Sequence, residues 1–282
     1  MQKVKEKLMR TVFLICACVS ILAVVLICVY LFATGVPAMK EIGFTDFLFG
    51  QKWKPSSGYF GIFPMIIGSI LVTGIAVVVG VPAGILCAVF MAHYCPAWLY
   101  RFVKPAVNLL AGIPSIVYGF FGLMVIVPFM KDLFGSSGKS LLTAGILLGI
   151  MILPTVIKTT EASLNAVPKS YYEGSLALGA THERSVFFAS LPAAKSGILA
   201  AIILGVGRAI GETMAVVMVA GNQTILPESI TSGIRTMTSN IVMEMGYATG
   251  LHQEALIATA VVLFVFILII NLCFSTLKRR KD

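Results

Sequence analysis

Two charged residues, Arg208 and Glu212, lie inside an apolar stretch that runs from Ser196 to Ala220. An arginine at the centre of a membrane-spanning helix costs about 2.5 to 3.5 kcal/mol on insertion scales, so it must face the bundle interior or a polar cavity. Glu212 follows one helical turn later, which places it on the same face, where it can pair with Arg208. The guanidinium could offer paired donors to an anion and return to Glu212 after release. A fixed ion pair that holds helices or subunits together is the alternative.

Other kinds of chemistry find little support in the residues. Ser69 and Ser115 could act as nucleophiles, but no histidine lies in an apolar stretch near either and GxSxG is absent, so a membrane-embedded hydrolase is a poor fit. No Gly-x-x-x-x-Gly-Lys-Ser/Thr loop occurs, which excludes a P-loop nucleotide site. The six cysteines and three histidines show no metal-ligand spacing, so neither a metal site nor a disulfide framework is predicted. His93, His182 and His252 lie in three different loops and are interpreted as unrelated interfacial residues.

The composition identifies the environment of these residues. Only 12% of the 282 residues are charged and 58% are hydrophobic, whereas soluble domains are about 25% charged. The mean hydropathy is +0.97. A soluble enzyme, a nucleic-acid-binding protein and a disordered chain are therefore poor fits, and an integral membrane protein in a lipid bilayer is expected.

Uninterrupted apolar stretches predict six membrane-spanning helices. The first is too long for the apolar region of a signal peptide and is interpreted as a retained helix. Pro82 and the Tyr94-Cys95-Pro96 breaker divide the charge-free stretch 55–100 into a long, kinked second helix and a turn. The first predicted span is 11–39, and the last four are 105–130, 140–157, 196–220 and 255–277.

The basic residues predict the orientation of these spans. Six spans put both termini on one side, and 14 of the 21 Lys and Arg residues lie on that side against 6 in the opposite loops. The positive-inside rule therefore places the termini and segment 158–195 in the cytoplasm. The opposite loop 221–253 is expected to be external, and its helical part, at about 233–247, to lie there or on the membrane surface.

Segment 158–195 is amphipathic and too polar to span. Residues 171–178 and 181–191 predict two short helices separated by Gly179, and Pro192 is expected to end the second. Phe187, Phe188 and Leu191 can anchor this pair to the bundle, while Glu173, His182, Glu183 and Arg184 face water or a partner. Earlier in the chain, Pro114, Ser115 and Tyr118 lie where small residues and a proline favour either a gate or ordinary close packing.

The segment resembles the cytoplasmic loop of permeases from binding-protein-dependent ABC importers. That family has Glu-Ala-Ala, three residues, Gly, nine residues and Ile-x-Leu-Pro, and this chain has Glu173-Gly174-Ser175, then Gly179, then Ala189-Ser190-Leu191-Pro192. Ala-Ala and Ile are replaced, while the spacing is intact. The resemblance implies that Glu173, Gly179, Arg184, Leu191 and Pro192 belong to a coupling loop that contacts a cytoplasmic ATPase.

Three stretches narrow the resemblance to phosphate importer permeases of the PstC type: 111–123, 171–181 and 207–216, the last reading GRAIGETMAV. This likeness covers about residues 58–277. It implies an all-α, polytopic membrane protein with the type I ABC importer permease fold, which forms half of a phosphate pathway through Arg208 and Glu212.

The resemblance also implies the location, the inner membrane of a bacterium, and the partners. The partners are a PstA-type permease homologue in a heterodimer, two cytoplasmic ATPase subunits that bind ATP and Mg, and an extracytoplasmic phosphate-binding protein. No cofactor or enzyme activity is expected in this chain. Residues 1–57 are expected to form an N-terminal part with the first span and an external loop, 58–277 the permease domain, and 278–282 a basic cytoplasmic tail.

Two alternatives stay open. A permease for another oxyanion, such as sulfate or molybdate, would have similar pathway chemistry, because tetrahedral oxyanions present the same acceptors. An ion-driven secondary transporter could use Arg208 and Glu212 as a substrate and proton site, although the spacing of the coupling loop argues against it.

Overall fold

Long apolar helices make up most of the chain in the computed structural model, which describes residues 2–279. Five of them are long and apolar enough to cross a membrane, and a sixth is counted when the pair His182–Ala193 and Lys195–Gly211, bent by 69°, is taken as one span. These counts hold for the described residues. The all-α class with up to six spans agrees with the sequence prediction, and of the predicted basic tail, residues 280–282 lie outside the described part.

The first helix, α1 (Gln2–Ile42), is longer than the predicted span 11–39. Residues 5–30 are exposed except for the half-buried Cys28, and the last turns of α1 pack against the final helix, α14 (Leu251–Arg279). A Cβ added at Gly35 would lie 2.8 Å from the Val261 side chain, so the two helices touch closely there. A short helix, α2 (Phe44–Phe49), follows.

A small β-hairpin comes next, which the sequence did not predict. Strands β1 (Trp53–Lys54) and β2 (Tyr59–Phe60) pair antiparallel, with Lys54 opposite Tyr59. Trp53 and Phe60 point into the protein while Lys54 and Tyr59 are exposed, which is the alternation that a half-buried strand requires. We call residues 53–60 the outer hairpin.

Two helices form the centre of the bundle. They are α3 (Phe63–Val89), extended by a π-helical turn (Phe90–Tyr94), and α7 (Leu141–Asn165). Glycines on both let the backbones approach, since a Cβ at Gly80 would lie 2.6 Å from the carbonyl oxygen of Gly149. Because α7 continues to Asn165, its last two turns belong to the span helix rather than to the loop predicted from residue 158.

The predicted third span, 105–130, is wrong in its bounds and is a broken helix. Helix α4 (Ala97–Gly112) ends at Ile113-Pro114, because a residue before proline avoids the helical conformation. After it come α5 (Ser115–Phe121), a π-helical turn (Gly122–Ile126) and α6 (Val127–Phe134). Residues 115–134 are the part that can cross the membrane.

Between α7 and the next span the chain forms the segment that we call the coupling segment, residues 166–194. Helix α8 (Lys169–Ala177) ends before Gly179, whose φ of +85° favours glycine. Then α9 (His182–Ser185), a π-helical turn (Val186–Ser190) and α10 (Leu191–Ala193) run on without interruption. Pro192 therefore lies in the first turn of α10 and does not end the second helix, since proline is tolerated at that position.

The fifth predicted span, 196–220, is also broken. Helix α11 (Lys195–Gly211) stops before Glu212, and α12 (Met214–Val219) continues after it. A loop then leads into α13 (Met237–Glu244), which is shorter than predicted and buried over its first four residues. Helix α14 (Leu251–Arg279) closes the fold. The loops 43–62 and 221–250 lie on one side, which we call the outer side, and the coupling segment lies on the other.

Candidate functional site

Arg208 lies on the last turn of α11, halfway along the broken span. It is half-buried, and its NH1 group donates a 3.4 Å hydrogen bond to the Thr155 hydroxyl on α7. Glycines flank it, and a Cβ added at Gly207 or Gly211 would meet no atom within 4 Å. The surface of α11 is therefore open at the glycines next to Arg208.

Glu212 does not pair with Arg208 in the structure, contrary to the sequence prediction. The pairing required a continuous helix, but α11 ends at Gly211 and Glu212 is extended, with φ −72° and ψ 132°. The Glu212 carboxylate instead accepts the backbone N–H of Ala215 at 3.3 Å, at the start of α12. A carboxylate there satisfies a donor that the helix break leaves free.

The start of α13 packs against this break. The Thr238 hydroxyl donates to the Glu212 carbonyl at 3.1 Å, and the backbone N–H of Met237 donates to the Ser69 hydroxyl on α3 at 3.0 Å. Thr236 caps the helix by accepting from the backbone N–H of Ser239 at 3.2 Å. The backbone of Glu212 is thus held from the outer side by a buried, hydroxyl-rich helix end.

The predicted gate residues meet the same region. Pro114 and Ser115 form the junction between α4 and α5, and the Tyr118 hydroxyl donates to the carbonyl of Leu110 across it at 2.9 Å. A Cβ added at Gly119 would lie 2.9 Å from the Cα of Ala215, so α5 packs tightly against α12. Two broken spans therefore adjoin, which the sequence pattern did not reveal.

This region opens onto an uncovered face of the bundle. A Cβ at Gly112 would also meet no atom within 4 Å. Large apolar residues of α5, α11 and α12 are exposed around it: Ile116, Phe120, Leu204 and Met214. Small and large apolar residues therefore share this exposed face with Arg208 beside them.

The coupling segment projects from the other end of the bundle. Glu173, Gly179, Arg184 and Pro192 are exposed, and Leu191 packs half-buried against the cluster of Leu164 and Val186. Phe187 and Phe188 were expected to anchor the segment, but they are 42% and 78% exposed. The π-helical turn shifts the face of the helix, so that Val186 and Ser190 point inward instead.

Aromatic and histidine side chains provide the anchor. The Tyr172 hydroxyl is 2.6 Å from Nδ1 of His182, and the ring of Tyr94 makes an edge contact with His182 at 4.7 Å between centroids. His93 stacks on Tyr172 at 6.2 Å. His182, which was expected to face water or a partner, is therefore half-buried, and no spacing signal in the sequence links it to His93.

A polar tether joins α4 to α7 on the same side. The buried Glu161 carboxylate accepts the Tyr100 hydroxyl and, at 3.1 Å, the Lys104 ammonium, which also donates to Tyr100. The hydrogen bond to Tyr100 and, to a smaller extent, the hydrogen bond to Glu161 raise the pKa of Lys104 above its usual value. Lys104 therefore stays charged at neutral pH, and the tether persists.

Apolar helices with two adjoining breaks, an uncovered face and a protruding helical segment define an all-α, polytopic membrane protein. The sequence comparison gives its family, because residues 80–282 match the family model of the binding-protein-dependent transport system inner membrane component. The chain belongs to this family.

Curated relatives match over most of the chain. A probable ABC transporter permease protein, YqgH of Bacillus subtilis, is 38% identical and covers 96% of this chain and 91% of its own. The phosphate transport system permease protein PstC of Mesorhizobium japonicum is 34% identical, covering 86% and 81%. PstC of Haemophilus influenzae is 34% identical over 81% and 78%.

Solved structures support the fold. An inward-facing form of the MetNI methionine ABC transporter matches with a TM-score of 0.60 at 22% identity, covering 82% of this chain and 100% of that chain. A bacterial ABC transporter that imports alginate matches with a TM-score of 0.55 at 15% identity, covering 97% and 99%. At these identities the likeness concerns the fold.

Proposed function

We propose that this protein is the PstC-type permease subunit of an ATP-driven importer of inorganic phosphate and forms half of the pathway. The observation that carries the proposal is Arg208, a half-buried cation at a broken span on the uncovered face. The PstC relatives indicate the substrate, since they are phosphate transport system permease proteins. A PstA-type homologue would cover the open face.

Arg208 is proposed to bind the phosphate during passage. A guanidinium offers two parallel donors to two phosphate oxygens, an arrangement that a lysine cannot reproduce. Thr155 is a neutral partner, so the positive charge of Arg208 is not cancelled in this state. Glu212 is proposed to stabilise the helix break and not to bind the anion. Its carboxylate would repel phosphate and already accepts the backbone N–H of Ala215 at the start of α12.

Coupling to ATP is proposed to pass through the coupling segment. Glu173, Gly179 and Arg184 are exposed for contact with an ATPase subunit, and Leu191 and Pro192 join the segment to α11. The exposed Phe187 and Phe188 add apolar surface that a partner would cover. ATP and Mg would be bound by two such ATPase subunits, and this chain would carry no enzymatic activity.

The orientation follows from charge. We place both termini and the coupling segment in the cytoplasm, because 14 of 21 basic residues lie on that side. The outer hairpin and the loop before α13 would then face outside, where an extracytoplasmic phosphate-binding protein docks.

The test is radiolabelled phosphate uptake by cells that carry Arg208→Gln. Uptake is expected to be abolished, while the variant still assembles with its partner subunits in pull-down experiments. Arg101→Gln, which removes an exposed arginine on α4, is the matched control and should transport normally. Normal uptake by Arg208→Gln would refute the pathway role. Uptake of sulfate or molybdate instead of phosphate by the wild-type complex would refute the proposed substrate.

A further inference from the structure

A buried carboxylate on the outer side has no part in the pathway described above. Glu244, 7% exposed at the end of α13, accepts hydrogen bonds from three side chains. Trp53 Nε1 donates at 2.8 Å, His252 Nε2 lies at 2.8 Å, and the Arg235 guanidinium donates at 2.5 Å. We call Trp53, Arg235, Glu244 and His252 the outer hub.

The outer hub joins three separate parts of the fold. Trp53 belongs to the outer hairpin, Arg235 to the loop before α13, and His252 to the first turn of α14. Breaking a buried ion pair by removing one partner is costly, because it leaves an uncompensated charge. Glu244 therefore fixes the outer end of α13 relative to the outer hairpin.

Arg235 extends the connection along α13. Its NH1 group also donates to the Asn240 side chain at 3.0 Å, and its Nε donates to the carbonyl of Asn222 at 3.1 Å. Helix α13 has 8 residues and is about 12 Å long, so it behaves as one short rigid body. Its other end holds the Glu212 carbonyl through Thr238.

The same hub is close to the outer surface. Lys54 and Tyr59 are exposed on the outer hairpin, and Tyr247 is 68% exposed just after α13. The ring of Tyr247 contacts His252 at 6.0 Å between centroids. A protein that docks on the outer side would meet these basic and aromatic side chains, which belong to the same outer loops as the hub.

We infer that Glu244 is a positioning residue that couples the outer hairpin, through α13, to the helix break at Glu212. Docking of the extracytoplasmic binding protein on the outer hairpin would shift α13 and with it the backbone beside Arg208. The identity of the docking protein rests on the proposed function, whereas the mechanical connection does not.

The first test measures amide hydrogen exchange at residues 213–217 in the assembled complex in lipid nanodiscs. Trp53→Phe removes one donor to Glu244 and keeps an apolar ring, so the fold should survive. Exchange at the break is expected to rise about fivefold or more, because local opening becomes easier. Tyr59→Phe, on the exposed side of the same hairpin, is the control and should change nothing. Unaltered exchange in Trp53→Phe would overturn the inference.

The second test measures ATP hydrolysis by the complex with increasing phosphate-loaded binding protein. Trp53→Phe and Glu244→Gln should each lower the maximal stimulated rate several-fold, with the half-saturating concentration of binding protein unchanged. The double variant should be no worse than Glu244→Gln alone, because both act through one contact. Additive losses, or full stimulation in both single variants, would contradict the inference.

The two tests separate this inference from the proposed function. A wild-type complex that ignores phosphate-loaded binding protein would contradict phosphate import. The exchange measurement needs no phosphate and still decides whether the outer hub controls the break.

Discussion

At the scale of single residues, the partner of Arg208 determines what the cation can do. A carboxylate partner would neutralise the guanidinium, whereas the Thr155 hydroxyl orients it and leaves its charge intact. The Glu212 carboxylate is used at the break, on the N–H of Ala215. The arginine is therefore held in place and remains available to an anion.

Thr155→Val should weaken phosphate uptake without abolishing it. A hydrogen bond to a charged group contributes about 1.5 to 3 kcal/mol, and at 3.4 Å this one belongs at the lower end. The KM for phosphate uptake should rise about tenfold. Thr155→Ser keeps the hydroxyl and should restore wild-type kinetics. An unchanged KM in Thr155→Val would show that Thr155 does not position Arg208.

At the scale of elements, the shape of the coupling segment depends on one turn. Gly179 has a φ of +85°, between α8 and α9, whereas Gly174 lies inside α8. A Cβ at either position would meet no atom within 4 Å. Substitution therefore acts through the backbone alone at both positions.

Gly179→Ala should destabilise the coupling segment by about 1 to 2 kcal/mol, because an L-residue is strained in the left-handed conformation. Gly174→Ala should instead stabilise α8 by up to about 1 kcal/mol. Limited proteolysis of the purified complex should show faster cleavage near residue 179 in the first variant and slower cleavage in the second. Equal cleavage of the two variants would contradict the turn geometry.

The spans and the coupling segment were predictable because their signals are local. Apolar runs of about 20 residues identify spans, and the Glu173, Gly179 and Leu191-Pro192 spacing identifies the segment. The break at Glu212 was missed because the backbone groups that it frees find partners that no local pattern reveals. Thr238, which is distant in sequence, donates to the Glu212 carbonyl. The Glu212 carboxylate itself, which is out of helical register, accepts the N–H of Ala215.

The exposure and the contacts of individual side chains were also not predictable from the sequence. Phe187 and Phe188 were assigned to the interior because apolar side chains are usually buried, yet a π-helical turn rotates them outward. His93 and His182 were treated as unrelated, yet both contact Tyr172. Neither the turn nor the contact has a periodic signature, since both result from tertiary packing.

At the scale of the whole molecule, the two ends of the bundle carry different kinds of connection. The outer hub ties the outer hairpin to α13 and the break at Glu212 through a buried carboxylate. The coupling segment is joined to α11 by a 69° bend just before Lys195. Both connections lead to the broken span that carries Arg208, so the two sides can act on one site.

The proposed orientation can be tested on the whole molecule with single cysteines. In a background with the six native cysteines replaced by serine, Ser56→Cys on the outer hairpin and Ala177→Cys on α8 both place an exposed thiol. A membrane-impermeant maleimide should label Ser56→Cys in intact cells and Ala177→Cys only after the membrane is opened, because the basic side of the protein faces the cytoplasm. The reverse labelling would show the opposite orientation, in which the coupling segment lies out of reach of any cytoplasmic ATPase.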